Sequence, residues 1–342
     1  MAAAIPSAAP ALGLALGPRP GFRRLGSGAL ARRAPSSRRG AAVAVAMAAR
    51  SMRGLMRRIA DCNDGLALLP QTRPLLVEGR AVGKVLPKAA QCMGQYDEVF
   101  RVTDEAVELI AGDTLESRSQ AVHDVVKRLR DEDRVPMLRG WRDEDWPVKP
   151  SFHDEPVLVI ERSAGPLLGV QGFGCHINGI VEGEDNVPML WVAKRAETKP
   201  TYPGLLDNIV AGGLSDGELP RENVIRECWE EAGVPKALAA EARPASVVSY
   251  SQVDETGWGV KRDVLLCYDL ALPKNFTPFS NDEEVDSFQL WSMDRVLESL
   301  ESETRPDWKP NVALVIIDML VRRGFLKPEE PGYVELIHAL RV

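Results

Sequence analysis

Apolar positions along the chain follow two regimes. In residues 114–130, Val122, Val125, Val126 and Leu129 recur at helical spacing with charges between them, which predicts an amphipathic helix. Residues 141–150, rich in Trp, Pro and acid, read as an irregular connector, and 156–160 and 167–170 as short strands around an Ala-Gly-Pro turn. After Gly174 strands dominate. Residues 176–181 and 189–193 read as a strand pair joined by an acidic turn, and 205–210 runs into Ala211-Gly212-Gly213, where glycines permit conformations closed to other residues. One well-marked helix then spans Pro220–Ala232. Pro220 stands in its first turn, where a missing N–H costs nothing, and Gly233 follows as a left-handed cap. Residues 247–254 and 260–270 predict a further strand pair, 288–300 a strand and short helix, and 311–323 an amphipathic closing helix ended by Gly324. The change of regime divides the chain into an α+β accessory domain, 50–160, and a second domain, 165–342.

The segment before both has a composition of its own. The first 60 residues hold eleven Arg and no Lys, Asp or Glu, and residues 1–48 are rich in Ala, Arg, Ser, Gly and Pro. That is the composition of an organelle transit peptide, without fixed structure. Ser, Ala and Pro interrupt any long amphipathic Arg helix, which favours a chloroplast over a mitochondrial address. Met47 offers an alternative start that would give a cytosolic form. The remainder carries 31 basic against 49 acidic residues, about −18. So acidic a body excludes a phosphate-matching nucleic-acid surface and suits a holder of divalent cations. No apolar run is long enough to span a membrane. The sequence sets no oligomeric state. Five scattered cysteines (Cys62, Cys92, Cys175, Cys228, Cys267) lack zinc or redox spacing and read as reduced thiols, with Cys228 on the apolar side of its helix.

The chemistry concentrates between Gly212 and Val234. Gly212 is followed after five residues by Glu218, and after seven more by Arg226-Glu227-Cys228-Trp229-Glu230-Glu231-Ala232-Gly233-Val234. On the helix, Glu227, Glu230 and Glu231 stand at i, i+3 and i+4, so one face carries three carboxylates. Like charges so placed weaken a helix by roughly a few tenths of a kcal/mol per pair, partly offset by Arg226 through Glu230 at i+4. Hard cations such as Mg²⁺ or Mn²⁺, which take oxygen ligands and bridge phosphates, are the simplest reason for such a face. Nine specified positions between a glycine turn and a glycine cap set the segment apart from a solvated acidic helix.

This full pattern resembles the signature of the Nudix hydrolases. The resemblance implies an α/β/α sandwich with a mixed sheet, and hydrolysis of a diphosphate linkage in a small-molecule substrate. It implies Glu227, Glu230 and Glu231 as metal ligands and candidates for the base, with Arg226 orienting a carboxylate and Glu218 supporting the loop. It also implies the Ala211 carbonyl as a ligand. A further carboxylate often completes such sites, and Glu284 in Asp282-Glu283-Glu284 is either that group or part of a surface acidic turn. Arg195 and Lys199 are similar to an Arg-x-x-x-Lys that contacts diphosphate in isoprenoid diphosphate isomerases of this fold; the other reading is an exposed basic turn. His176 is either structural or a ligand, and Trp229, Trp258 and Trp291 read mostly as core, with stacking on a heterocycle the alternative for one of them.

Flanking residues resemble one subgroup. Leu190-Trp191-Val192-Ala193-Lys194-Arg195, the run from Lys199 to Asn208, and the tail from Trp308 to Asp318 look like the Nudix part of fungal thiamine pyrophosphokinase fusions and their plant chloroplastic relatives. That resemblance implies hydrolysis of damaged thiamine diphosphates, the oxo and oxy forms, to monophosphates. ADP-ribose or NADH is the alternative substrate class, and a non-catalytic binding module a third reading.

Overall fold

The computed structural model describes residues 52–183, 187–302 and 308–342. The transit-peptide reading of residues 1–48 lies outside them. Among the described residues no helix is long and apolar enough to cross a membrane.

The described residues begin with helix α1 (residues 52–62) and a 3₁₀ turn, Asp64–Gln71. Strands β1 (Arg73–Val77), β2 (Arg80–Val85), β3 (Phe100–Val102) and β4 (Val107–Leu109) then form a four-stranded sheet in the order β2-β1-β4-β3. Helix α2 (Pro87–Met93) lies between β2 and β3 in sequence, and α3 (Leu115–Asp131) follows β4. Thr114 caps α3, accepting the Ser117 N–H at 3.2 Å, and Val122, Val125, Val126 and Leu129 enter the core as their spacing predicts.

Two expectations for this region are corrected. Within the supposed connector, β5 (Asp145–Val148) pairs antiparallel with β6 (Leu158–Glu161). Pro147 is tolerated because this ribbon has only two strands, so the missing N–H breaks no inner ladder. Residues 167–170 are not a strand: α4 (Gly165–Leu168) makes one turn and stops at Gly169, whose φ of 60° is left-handed. A four-residue apolar run does not by itself separate a buried strand from a buried helical turn.

The second domain is built on a mixed sheet. Strands β7 (Gln171–Glu182), β8 (Pro188–Arg195), β11 (Arg243–Val253), β12 (Val260–Ala271) and β13 (Val285–Ser292) lie in the order β11-β12-β7-β8-β13, with β7 and β12 parallel. The short β9 (Leu206–Asp207) pairs with β8, and β10 (Val210–Gly213) with β7. One face is covered by α5 (Pro220–Ala232) and α6 (Lys236–Ala239), through Val224, Cys228, Ala232 and Ala239 against Cys175, Ile177 and Leu270. The other is covered by α7 (Met293–Glu301), α8 (Pro310–Arg322) and α9 (Tyr333–Ala339). The result is an α/β/α sandwich, with an α+β domain of its own core before it.

Two features depart from the sequence pattern. Helix α8 is not amphipathic, since every residue from Asn311 to Leu320 is buried. It lies between the sheet and other helices, where its buried Asp318 is paired with Arg322 and Arg341. Helix α1, counted with the accessory domain by sequence, packs instead into this second core through Met52, Leu55, Ile59 and Cys62. The Arg58 Nε donates to the Leu300 carbonyl at 2.6 Å. All five cysteines are buried and free.

Candidate active site

The acidic helix α5 keeps its sequence boundaries. Gly233 caps it with φ of 61°, and a Cβ there would meet the Phe279 ring at 2.4 Å, so both conformation and space require glycine. The loop after β12 closes over the same end. Phe279 N–H donates to the Ala232 carbonyl (3.2 Å), Asn281 N–H to Glu230 (2.9 Å) and the Asn281 amide to Trp229 (2.6 Å). These bonds satisfy carbonyls that a helix end leaves open, and they tie Asp282 to Glu284 to the helix that carries the glutamates.

The turn from β10 meets the helix at Gly212. Ala211 lies opposite His176 on β7, and its N–H donates to Glu231 Oε2 at 2.7 Å. A Cβ on Gly212 would stand 2.1 Å from Glu227 Oε1, so a side chain there would displace that carboxylate. Arg226 holds the other face together. It donates twice to Glu218 (2.8 and 3.0 Å), once to Glu230 Oε2 (2.7 Å) and once to Glu227 Oε1 (3.0 Å). Asn223 bridges Glu218 and the Gly213 carbonyl, each at 2.8 Å. Sequence spacing alone gives the Arg226–Glu230 pair; the clamp on Glu218 needs the loop folded back.

Electrostatics separates these acids. Burial raises Glu218, but the bonds from Arg226 and Asn223 outweigh it and hold its carboxyl below the usual range. Burial pushes Glu227 up to about 7, only partly countered by Arg226. Glu231, 8% exposed, is driven well above the usual carboxylate range, by burial first and then by Glu227 and Asp207. Carboxylates crowded this way lack positive charge, and a hard cation would supply it. The donor set fits Mg²⁺ or Mn²⁺, being oxygens without thiolate or imidazole. Among the described residues, no three His, Cys, Asp or Glu side chains are close enough as they stand to enclose an ion. Arg226 and the Ala211 N–H hold oxygens of all three glutamates, so binding an ion requires these carboxylates to turn. A bound divalent ion would neutralise phosphate charge and lower the pKa of a bound water.

Residues 174–312, most of the second domain, match the NUDIX domain family. Residues 54–172 match a domain of unknown function, DUF4743. The chain is 38% identical to Nudix hydrolase 20, chloroplastic, of Arabidopsis thaliana over 298 residues, 84% of this chain and 78% of that protein. It is 39% identical to Nudix hydrolase 24, chloroplastic, of the same plant, again over 84% and 78%. The chain belongs to the Nudix hydrolase family. It also matches an uncharacterized protein of Saccharomyces cerevisiae, YJR142W, at 31% identity over 76% of this chain and 80% of that one.

In this Nudix hydrolase the expected basic residues are already engaged. Arg195, 8% exposed, donates to Asp207 Oδ2 (2.9 Å) and to the carbonyls of Tyr202 (3.0 Å) and Thr201 (2.8 Å). It organises the loop around Tyr202, whose φ of 52° is left-handed. Lys199 pairs with Glu284, which puts Glu284 at the cleft. Trp291 is buried and Trp258 partly so, but Trp229 is 51% exposed, against expectation. The buried stripe of α5 runs Val224, Cys228, Ala232, and Trp229 lies about 100° around the helix from it.

The cleft over the glutamates, about 810 Å³, draws residues from both domains. Arg142, Trp146 and Arg162 of the accessory domain line it, as does Lys309 at the start of α8. Sequence reasoning missed all four. Only Lys309 left a signal: a lysine at a helix N-terminus opposes the helix dipole and is otherwise unexplained. It lies 3.3 Å from Asp207.

His176 is buried on β7 beside the cleft, its ring held by a hydrogen bond. Asn208 uses its amide nitrogen on Asn178 Oδ1 (2.9 Å), so its oxygen accepts from His176 Nδ1 at 2.9 Å. Burial, with Lys309 nearby, pushes the His176 pKa down to about 4. The unfolded imidazole titrates near ~6.5. The unfolded chain therefore takes the proton first, and stability falls as pH drops from about 6.5 towards 4. Between pH 7 and 4.5, His176 should cost the wild type about 2–3 kcal/mol that a His176→Gln variant does not lose. Urea denaturation at the two pH values checks this; parallel losses would refute it.

Proposed function

We propose that this Nudix hydrolase cleaves a diphosphate linkage with Mg²⁺ or Mn²⁺ held by Glu227, Glu230 and Glu231. The observation that carries the reading is the placement of these carboxylates against the Gly212 turn, with Arg226 clamped to Glu218 beside them. Nudix hydrolases as a family work with divalent metals. The Ala211 carbonyl and Glu284 are proposed as further oxygen ligands, Glu284 because its loop is bonded to the end of the same helix. One glutamate deprotonates the attacking water.

For the substrate we propose damaged thiamine diphosphates, the oxo and oxy forms. Support comes from the resemblance carried by residues 190–208 and by the tail from Trp308. The structure adds a physical argument for the tail, because Lys309 reaches Asp207 beside the site. Two relatives bear chloroplastic in their names, which supports a chloroplast location. Purified chain with Mg²⁺ should release phosphate from oxythiamine diphosphate at a higher kcat/KM than it cleaves ADP-ribose or NADH. The reverse order would overturn the substrate reading and leave the metal-dependent chemistry standing.

A further inference from the structure

A diphosphate brings several negative oxygens, and cations on the glutamate face reach only one side of it. The basic residues nearest in sequence do not obviously meet the rest, since Arg195 is bonded to Asp207 and two carbonyls and Lys199 to Glu284. The accessory domain supplies another. Arg142 stands at the cleft just before β5, its backbone N–H donating to Glu161 Oε1 at 3.1 Å. The next residue, Asp143, adopts a left-handed φ of 56° and accepts from Trp141 Nε1 at 2.8 Å. Trp141 in turn lies under the Arg130 guanidinium at 4.3 Å. The turn that presents Arg142 is thus fixed by the accessory domain itself, at a backbone conformation of the kind that clusters at binding sites.

Among the described residues, the half-buried Arg142 guanidinium has neither a hydrogen-bond acceptor nor a carboxylate within ion-pair distance. Nearby acids are otherwise occupied. Glu144 pairs with Arg162 at 2.6 Å, and Glu161 Oε1 accepts two backbone N–H groups. Burial, with the charge of Arg162 beside it, pushes the Arg142 pKa below its ordinary value, and Glu144 and Glu161 offset only part of this. Arg162 also fixes the location. Its Nη2 lies 3.1 Å from where a Cβ on Gly213 would stand, next to the glycine that seats Glu227. Arg162 itself is less available, being paired with Glu144 and set against the Trp146 ring at 4.9 Å.

We propose that Arg142, delivered by the accessory domain, binds phosphate oxygens of the diphosphate on the side turned away from the glutamates, so that both domains complete one active site. The inference rests on the diphosphate reading above. A guanidinium offers a planar fork of donors that matches phosphate oxygens, and charge-assisted bonds of this kind are the stronger ones. The unpaired state of Arg142 then has a reason, because its partner arrives with the substrate.

The test uses imidodiphosphate, a non-hydrolysable probe, titrated calorimetrically into the full chain with Mg²⁺, together with steady-state kinetics on oxythiamine diphosphate. Arg142→Ala and Arg142→Gln should each weaken imidodiphosphate binding and raise KM by roughly 10- to 100-fold, with a much smaller change in kcat. Arg142→Lys should recover part of both, as a point charge without the fork. Melting temperatures should stay level or rise, since a half-buried charge without a bonded partner is removed. A merely structural arginine would instead lower the melting temperature and leave affinity alone. Imidodiphosphate affinity within twofold of wild type in both the Ala and Gln variants would overturn the proposal. The calorimetric arm reads the phosphate site whatever organic group the substrate carries. A chain inactive on oxythiamine diphosphate would therefore sink the substrate reading, while Arg142 is judged on affinity.

Discussion

Glu230→Gln should lower kcat by about a thousandfold or more, equivalent to about 4 kcal/mol of transition-state stabilisation, while the protein remains folded. The glutamine keeps the shape and one oxygen of the glutamate and removes its charge, which is what a divalent ion binds. The Glu230 side chain is 42% exposed, and its partner Arg226 keeps its two bonds to Glu218. The lost ion pair is therefore of the exposed kind, whose contribution to stability is about 0–1 kcal/mol. Relief of repulsion along the glutamate face offsets part of that. Phosphate release at saturating Mg²⁺, alongside a thermal melt, decides the matter. A kcat within tenfold of wild type at unchanged Tm would remove Glu230 from the metal site.

Asp207→Ala should cost about 3–5 kcal/mol of stability, more than any exposed substitution could. Asp207 is buried and receives Arg195 at 2.9 Å and Lys309 at 3.3 Å on the same oxygen. Burial alone would raise its pKa, but Lys309, His176 and Arg195 together hold the carboxyl below its ordinary value. Without it two cations face each other in a low-dielectric interior with no counter-charge. Urea denaturation measures the loss, and a value under about 1 kcal/mol would show that water or rearrangement compensates. Arg195 also shapes the loop at Tyr202, so the variant should raise KM as well.

The sequence discloses what depends on spacing along one element. Helix α5 begins at Pro220 and ends at Ala232 as its caps require, and α3 begins after Thr114 for the same reason. The glutamate face follows from spacing within a few residues, whereas the mixed sheet, with β7 parallel to the distant β12, was implied only by the resemblance. What stayed hidden depends on which distant segments meet. Arg195 carries a charge that suits phosphate, and only the folded chain shows Asp207 and two carbonyls around it. Arg142 sits in a stretch whose acids and prolines mask a strand, and nothing local places it in the same cleft as Gly213, more than sixty residues on. Trp229 misleads for another reason, since its size suggests burial while its phase on the helix puts it in solvent. Resemblance to a family covered the conserved chemistry of the signature and left the contribution of the first domain open.

Helix α1 gives the molecule a clasp. From Met52 the described chain runs first in the sandwich, with Met52, Leu55, Ile59 and Cys62 among the side chains around α8, then leaves to build the accessory domain and returns at β7. Asn63 fastens the exit by accepting from Ser251 N–H (3.0 Å) and donating to the Ala339 carbonyl (3.1 Å). The accessory domain is therefore spliced into the Nudix fold and not hung in front of it. Cutting the gene near codon 165 to obtain a minimal enzyme would strip four apolar side chains from the sandwich and bare the helices beneath them. A minimal version has to keep residues 52–63 and bridge from there to β7.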